Sequence, residues 1–304
     1  PLIPESSKPA PVRSLVRTGF ARADDGRQLY WRALGSGPPI VCCNGVGVST
    51  FFWKYLANHF REDHTVILWD YRAHGRSSRE VDPYRDDLSI ARHADDCAAV
   101  LDSAGITEPA VAIGHSMGCQ VVLELRRRHP ERVRALVLML GTAGRALETF
   151  FDNPNSPRVM RTADRIARFI GPRINDIVHP WLESPLAWVV ATRLQLVDPY
   201  YTRREDLEPY LEHLNSLDLR VFLRSVLAIN DHDAWGLLPG IERPVLVVAA
   251  ENDQFTPMWC SEKVANTAPE AELMVLADAS HAALIEQPET INHRVERFLR
   301  ERVS

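Results

Sequence analysis

The chain has 304 residues, 45% of them hydrophobic and 25% charged, with a formal net charge of −5. This is the profile of a globular protein with a substantial core, and it excludes a disordered chain. The acidic balance has the wrong sign for a nucleic-acid surface, no run approaches the ~18 apolar residues of a membrane span, and the oligomeric state is left open.

The N-terminal PLIPESSKPAPVR puts prolines and charges where a secretory leader needs an apolar core. The chain opens on Pro1 rather than methionine, which leaves room for a leader removed upstream. SLVRTGFARA and RQLYWRAL then alternate apolar and polar residues and suit an antiparallel hairpin at a sheet edge. After them come PPIVCCNG (38–45), HTVILWDYR (64–72), PAVAIGHS (109–116), RALVLMLG (134–141), PVLVVAAEN (244–252) and AELMVLADAS (271–280), with helical segments between. Short continuous apolar runs of this kind predict a parallel sheet buried on both faces, hence an α/β fold. The five cysteines, Cys42, Cys43, Cys97, Cys119 and Cys260, are odd in number and lack metal-ligand spacing, so reduced thiols, a cytoplasmic protein and no metal are expected.

Between about 142 and 240 the strand rhythm stops and several helices are predicted. In RVMRTADRIARFI, Val159, Ala163, Ile166 and Ile170 share one face and Arg158, Arg161, Arg165 and Arg168 the other. The arginines suit a solvated helix face better than an anion-binding stripe. Phe150, Phe151, Phe169, Trp181, Trp188, Tyr200, Tyr201 and Phe222 either line an apolar pocket or form the insert's own core, and most are expected in that core.

VAIGHSMGCQ, residues 111–120, carries the chemistry. A serine hydroxyl is a poor nucleophile at neutral pH and must be held where a base and an oxyanion site both reach it. A tight strand-to-helix turn does this, and its crowded backbone needs small neighbours, here Gly114 and Gly118 around Ser116. The helix predicted from QVVLELRRRHP would turn its amides and dipole toward negative charge near Ser116. The placement of G-x-S-x-G after a strand and before a helix reads as a nucleophile elbow.

At this point the chain resembles the α/β-hydrolase superfamily over roughly 25–302. The resemblance implies a mostly parallel eight-stranded sheet with helices on both faces and a helical lid. It divides the chain into an N-terminal extension and edge (1–24), a first core part (25–141), a cap (142–240) and a second core part (241–304). The family order of nucleophile, acid and histidine implies His281, in LADASHAALIEQPE, as the base and Asp253, in ENDQFTP, as the acid that orients it, with Thr256 and Pro257 as a helix start. Asp278 and Glu251 are the rival carboxylates and read as structural or solvent-facing. Among the other histidines, His115 is expected to support the elbow with its side chain turned away from the serine, while His179, His213 and His232 are expected on the insert surface.

The resemblance further implies an oxyanion hole from the amides of Met117 and Val46. Asn44-Gly45 stands where the family often has His-Gly, which puts the loop's supporting hydrogen bonds in question. DYRAHGRSS (70–78) is similar to the family's D-x-R-G-x-G-x-S segment, with Ala73 where glycine is usual, and reads as structural. Cys119 and Cys260 read as small buried hydrophobes. The implied activity is cofactor-free hydrolysis of a small-molecule ester with an apolar small or medium acyl group. Lactone, thioester or carbon–carbon bond cleavage and perhydrolysis by the same triad are the alternatives, as is a hydrolase-fold ligand receptor. A serine nucleophile argues against epoxide hydrolases and haloalkane dehalogenases, whose members carry aspartate there.

Overall fold

A computed structural model describes residues 15–182 and 202–303 and, between them, residues 184, 186, 189, 193 and 200. Trp188, Tyr201 and most of the N-terminal extension therefore lie outside the described residues.

The strands are β1 (Val16–Arg22), β2 (Gln28–Leu34), β3 (Pro39–Cys43), β4 (Thr65–Trp69), β5 (Ala110–His115), β6 (Val133–Met139), β7 (Val245–Ala250) and β8 (Ala271–Leu276), in the spatial order β1-β2-β4-β3-β5-β6-β7-β8. β1 and β2 form the expected edge hairpin, in register from Val16 opposite Leu34 to Arg22 opposite Gln28. β2 meets β4 antiparallel, and every later pairing is parallel. The order reverses at β3, so the carboxyl ends of β3 and β5 meet at the switch point, where open α/β sheets build their sites.

The apolar runs are continuous because both faces are covered. Val41, Ile67, Ala112, Leu136 and Val247 pack one way, against α2 (Ile90–Ser103), α3 (Met117–Arg128) and α8 (Met258–Thr267). Ile40, Val66, Ile113, Val137 and Val248 pack the other way, against α1 (Lys54–Phe60) and α10 (Pro288–Phe298), with short α9 (Ala283–Glu286) between β8 and α10. Each fully buried Val, Leu or Ile contributes roughly 1.5–3 kcal/mol, which is why one-residue register slips are not tolerated. β8 departs from the expected pattern: Leu273 and Val275 are exposed, because β8 is the outer strand and none of the described residues covers that face.

The helical insert, around 156–231, comprises α4 (Ser156–Ile170), α5 (Ile174–Leu182), α6 (Arg204–Ser216) and α7 (Leu219–Asp231). Ala167, Ile174 and Leu223 join α4, α5 and α7 in a small core of their own. Two expectations for the insert hold only in part. Val159 and Ile166 are exposed on α4, while Ala163 and Ile170 pack in the insert's core beside the buried Asp164 and Ala167, so the covered face overlaps only half of the one the periodicity predicts; the four arginines face solvent as expected. Among the aromatics, Phe151, Phe169, Trp181 and Tyr200 are exposed rather than core, since the insert is too thin to bury them.

Candidate active site

The elbow explains its own sequence. Ser116 sits between β5 and α3 at φ 54° and ψ −117°, a left-handed conformation that costs a non-glycine residue about 1–3 kcal/mol. A Cβ on Gly118 would stand 2.0 Å from the Cys43 carbonyl oxygen, and one on Gly114 2.2 Å from the Gly118 carbonyl oxygen. Any side chain at either position would push the turn off β3. Ser116 N–H donates to the Met139 carbonyl at 3.0 Å, which anchors the strained residue to β6. The Ser116 hydroxyl itself has no hydrogen-bond partner among the described residues and faces the pocket.

Asp253 follows β7 and is buried and fully engaged. Its Oδ1 accepts the Phe255 and Thr256 amides, each at 2.9 Å, while Oδ2 accepts the Thr256 hydroxyl at 2.9 Å and His281 Nδ1–H at 2.8 Å. Charge-assisted bonds of this kind fix the carboxylate plane and, through it, the His281 ring. Thr256 is thus a clamp on Asp253; α8 starts at Met258, with Pro257 in the capping position. The rivals lie apart: Asp278 and Glu251 are exposed, and the Asp278 amide contacts the Glu251 carboxylate at 3.4 Å.

His281 lies on the loop after β8, its ring 4.9 Å from Phe255 and 5.0 Å from His115. His115 does not point away from the site. It lines the pocket, donates Nε2–H to the His281 carbonyl at 3.0 Å and rests 4.8 Å from the Phe52 ring. Burial, and secondarily His281 itself, push its pKa down to about 3, so it stays a neutral donor at pH 7. Adjacency to the serine in sequence concealed this role, because successive residues of β5 point to opposite faces and only the fold brings His281 to one of them.

The loop after β3 brings Gly45 and Val46 against the elbow; a Cβ on Gly45 would meet the Ser116 Cβ at 3.3 Å. Neither the Val46 nor the Met117 N–H has an acceptor among the described residues, so two unspent donors flank Ser116. Asn44 answers the question its departure from His raised. Fully buried, it donates Nδ2–H to the Trp69 carbonyl at 2.7 Å, accepts Trp53 Nε1–H at 2.6 Å, and its carbonyl accepts the Tyr71 hydroxyl at 2.9 Å. Nearby, Asp70 takes the Ser49 hydroxyl at 2.5 Å and the Arg76 amide at 3.0 Å, tying the segment after β4 to the same loop. Ala73, where the family prefers glycine, stands at φ 64°.

The pocket, with about 180 Å³ accessible to water, opens over Ser116 and His281 and is walled mainly by Phe52, Phe150, Phe222, Phe255, Leu207 and Val226. Its polar exceptions besides the elbow are Asp206, held by Lys54 and by the Tyr55 hydroxyl at 2.9 Å, and Tyr210, whose phenol burial pushes up to about 12. Phe52, Phe255, Asp206 and Tyr210 carried no sequence signal, because lining a pocket has no motif. Cys119 and Cys260 are buried, and burial pushes both thiols up, to about 12 for Cys260, so neither is a thiolate at neutral pH. Of the insert histidines, His213 is buried rather than on the surface, and His179 and His232 are half-buried and hydrogen-bonded. His179 Nε2 contacts the Leu217 carbonyl at 3.1 Å, His232 pairs with Glu124 at 3.1 Å, and His213 is buried 5.8 Å from His74. Among the described residues no cluster of His, Cys, Asp or Glu could hold a metal, and no helix is long and apolar enough to cross a membrane.

The fold and the site's place at the sheet's switch point are those of a hydrolase, and the chain matches the alpha/beta hydrolase fold family over residues 38–288, so it belongs to that family. It is 29% identical over 273 residues to a protein of Azorhizobium caulinodans, RutD, whose name proposes a carbamate hydrolase; the match covers 90% of this chain and 95% of that one. Among solved structures, Est816, described as an N-acyl homoserine lactone degrading enzyme, is 26% identical with a TM-score of 0.72, over 92% of this chain and 100% of the other. The enol-lactonase from Burkholderia xenovorans LB400 shares the fold at a TM-score of 0.76 and 24% identity, covering 93% of this chain and 100% of that one.

Proposed function

We propose that this protein is a serine hydrolase that cleaves a carboxylic ester with an apolar small or medium acyl group. His281 takes the Ser116 proton as the hydroxyl oxygen attacks the carbonyl, and returns it to the leaving alcohol. Water, deprotonated by the same imidazole, then releases the acyl group from Ser116. Asp253 keeps the His281 tautomer in which Nδ1 is protonated and Nε2 is free to accept. The Val46 and Met117 amides stabilise the tetrahedral oxyanion, each worth roughly 3 kcal/mol in the transition state.

The observation that carries this reading is the 2.8 Å bond from His281 Nδ1 to a fully engaged Asp253, at the wall of the pocket that holds the unpartnered Ser116 hydroxyl. The apolar walls support an apolar acyl group, and no cofactor is required by the steps written. Carbamates and lactones pass through the same tetrahedral oxyanion, and the names of RutD and Est816 make them the second substrate classes to test.

The test is a panel of p-nitrophenyl esters of rising acyl length, with one lactone and one aryl carbamate, run with and without a fluorophosphonate and followed by peptide mapping. Turnover of short and medium esters, abolished by a label on Ser116, is expected. Turnover that survives complete labelling would sink the mechanism. Faster turnover of the lactone or carbamate would change the substrate class alone, and labelling without any turnover would point to a binding protein.

A further inference from the structure

The outer surface of α4 and α5 presents two unlike sectors side by side. Val159 is 56% exposed, Ile166 52%, Phe169 94%, Ile177 63% and Trp181 45%. At 3.6 residues per turn, Val159, Ile166 and Phe169 form one outward sector of α4, and Arg158, Arg161, Arg165 and Arg168 the outward sector beside it. All four arginines are exposed; Arg168 also lies 4.9 Å over the Tyr84 ring. Arg158, Arg161, Arg165 and Arg173 form no ion pair among the described residues, whereas Arg72, Arg92, Arg128 and Arg132 of the core all do.

The acidic groups of these two helices do not cancel the arginines. Asp164 is buried and turned inward to Arg224 and Tyr84, and Asp176 is the other carboxylate between residues 156 and 182, against five arginines, in a chain of net charge −5. Self-contained helices hide their apolar residues, and this one leaves its largest, Phe169, in water beside unpaired cations. Such an arrangement suits a helix lying in the plane of a lipid headgroup layer, apolar residues dipped toward the acyl chains and arginines on the phosphates.

The geometry points to α4 and α5 as a docking surface for an anionic lipid bilayer. A second copy of the chain fits less well, since a two-fold interface on this face would bring arginine against arginine. The inner side of α4 packs through Met160 with Phe150, Phe222 and Val226, which wall the pocket, so the docked surface is the outside of the pocket's roof. Bilayer docking would set the pocket beside a source of apolar, amphiphilic molecules.

Flotation of the full chain with vesicles tests this. Vesicles of phosphatidylcholine with a third phosphatidylglycerol should carry the protein up at low ionic strength, pure phosphatidylcholine vesicles should not, and 0.5 M salt should release it. Arg161→Ala and Arg165→Ala should each weaken binding about fivefold, and Phe169→Glu should abolish it with an unchanged melting temperature and unchanged turnover of a soluble ester. Absence of flotation with the anionic vesicles at low salt would overturn the proposal. So would a concentration-dependent dimer that Phe169→Glu dissociates while vesicle binding is unaffected, which would make this face a contact between copies.

Discussion

The floor and the roof of the pocket follow opposite rules. On the floor, Asp253 accepts four hydrogen bonds, Asn44 is held through its side chain and its carbonyl, and Ser116 keeps a strained backbone because glycines let the chain approach within touching distance. On the roof, Phe150, Phe222 and Val226 meet through packing alone, and α4, which packs on them through Met160, leaves apolar residues on its outer side. Groups that must be placed to within about half an ångström are fixed by bonds to the rigid sheet; a surface that only has to exclude water and accept a shape needs bulk. The floor should therefore be intolerant of single-atom changes, and the roof forgiving.

The largest expected effect breaks the floor at the proposed nucleophile. Ser116→Ala should lower kcat by at least about 10⁴-fold while the melting temperature holds or rises, since the strained residue loses only a hydroxyl; activity within tenfold of wild type in an ester assay would remove Ser116 from the role. Asp253→Asn comes next, with a loss of about 10⁴-fold expected at pH 7, because the amide favours the wrong His281 tautomer. A loss under tenfold would shift attention to Asp278 or Glu251.

A smaller effect concerns how the roof sits on the core. His213 of α6 is buried beside His74 and near Arg79, with Nε2 unpartnered, and burial, helped by those neighbours, lowers its pKa to about 3. A folded pKa below the unfolded value of about 6.5 means that the unfolded state binds the proton first. Stability is thus fully present above about pH 6.5 and lost as pH falls toward 3, by roughly 2 kcal/mol at pH 5. His213→Leu should narrow the gap between melting temperatures at pH 7 and pH 5 by about 4 °C; an unchanged gap would mean that His213 is solvated or paired. The smallest effect tests the roof's tolerance. Phe222→Ala should move the preferred acyl chain a few carbons longer, changing kcat/KM between neighbouring chain lengths by about tenfold, with kcat on the best substrate altered little. A collapse of kcat for every ester would show that the roof places catalytic groups after all.

Much of this was legible in the sequence because it is local. The strands of the sheet announce themselves as apolar runs, and the elbow as a serine between glycines at a strand end, since both depend on a few adjacent residues and their backbone geometry. The family order then pointed to Asp253 and His281 as partners, and the fold brings them to 2.8 Å across 28 positions of sequence. The direction of the His115 side chain was misjudged because its partner, the His281 carbonyl, lies 166 residues away, and no local pattern encodes that meeting. The face of α4 was read only in part for the same reason: periodicity shows that a helix is amphipathic, but how much of its apolar side is buried depends on where α7 and the pocket wall already stand. The sequence by itself determined the sheet, the turn and the chemistry it can host, through short-range sterics and apolar periodicity. Only the tertiary structure decided what lines the pocket, which histidines are buried and which helix face meets solvent, because those follow from long-range packing that no single segment carries.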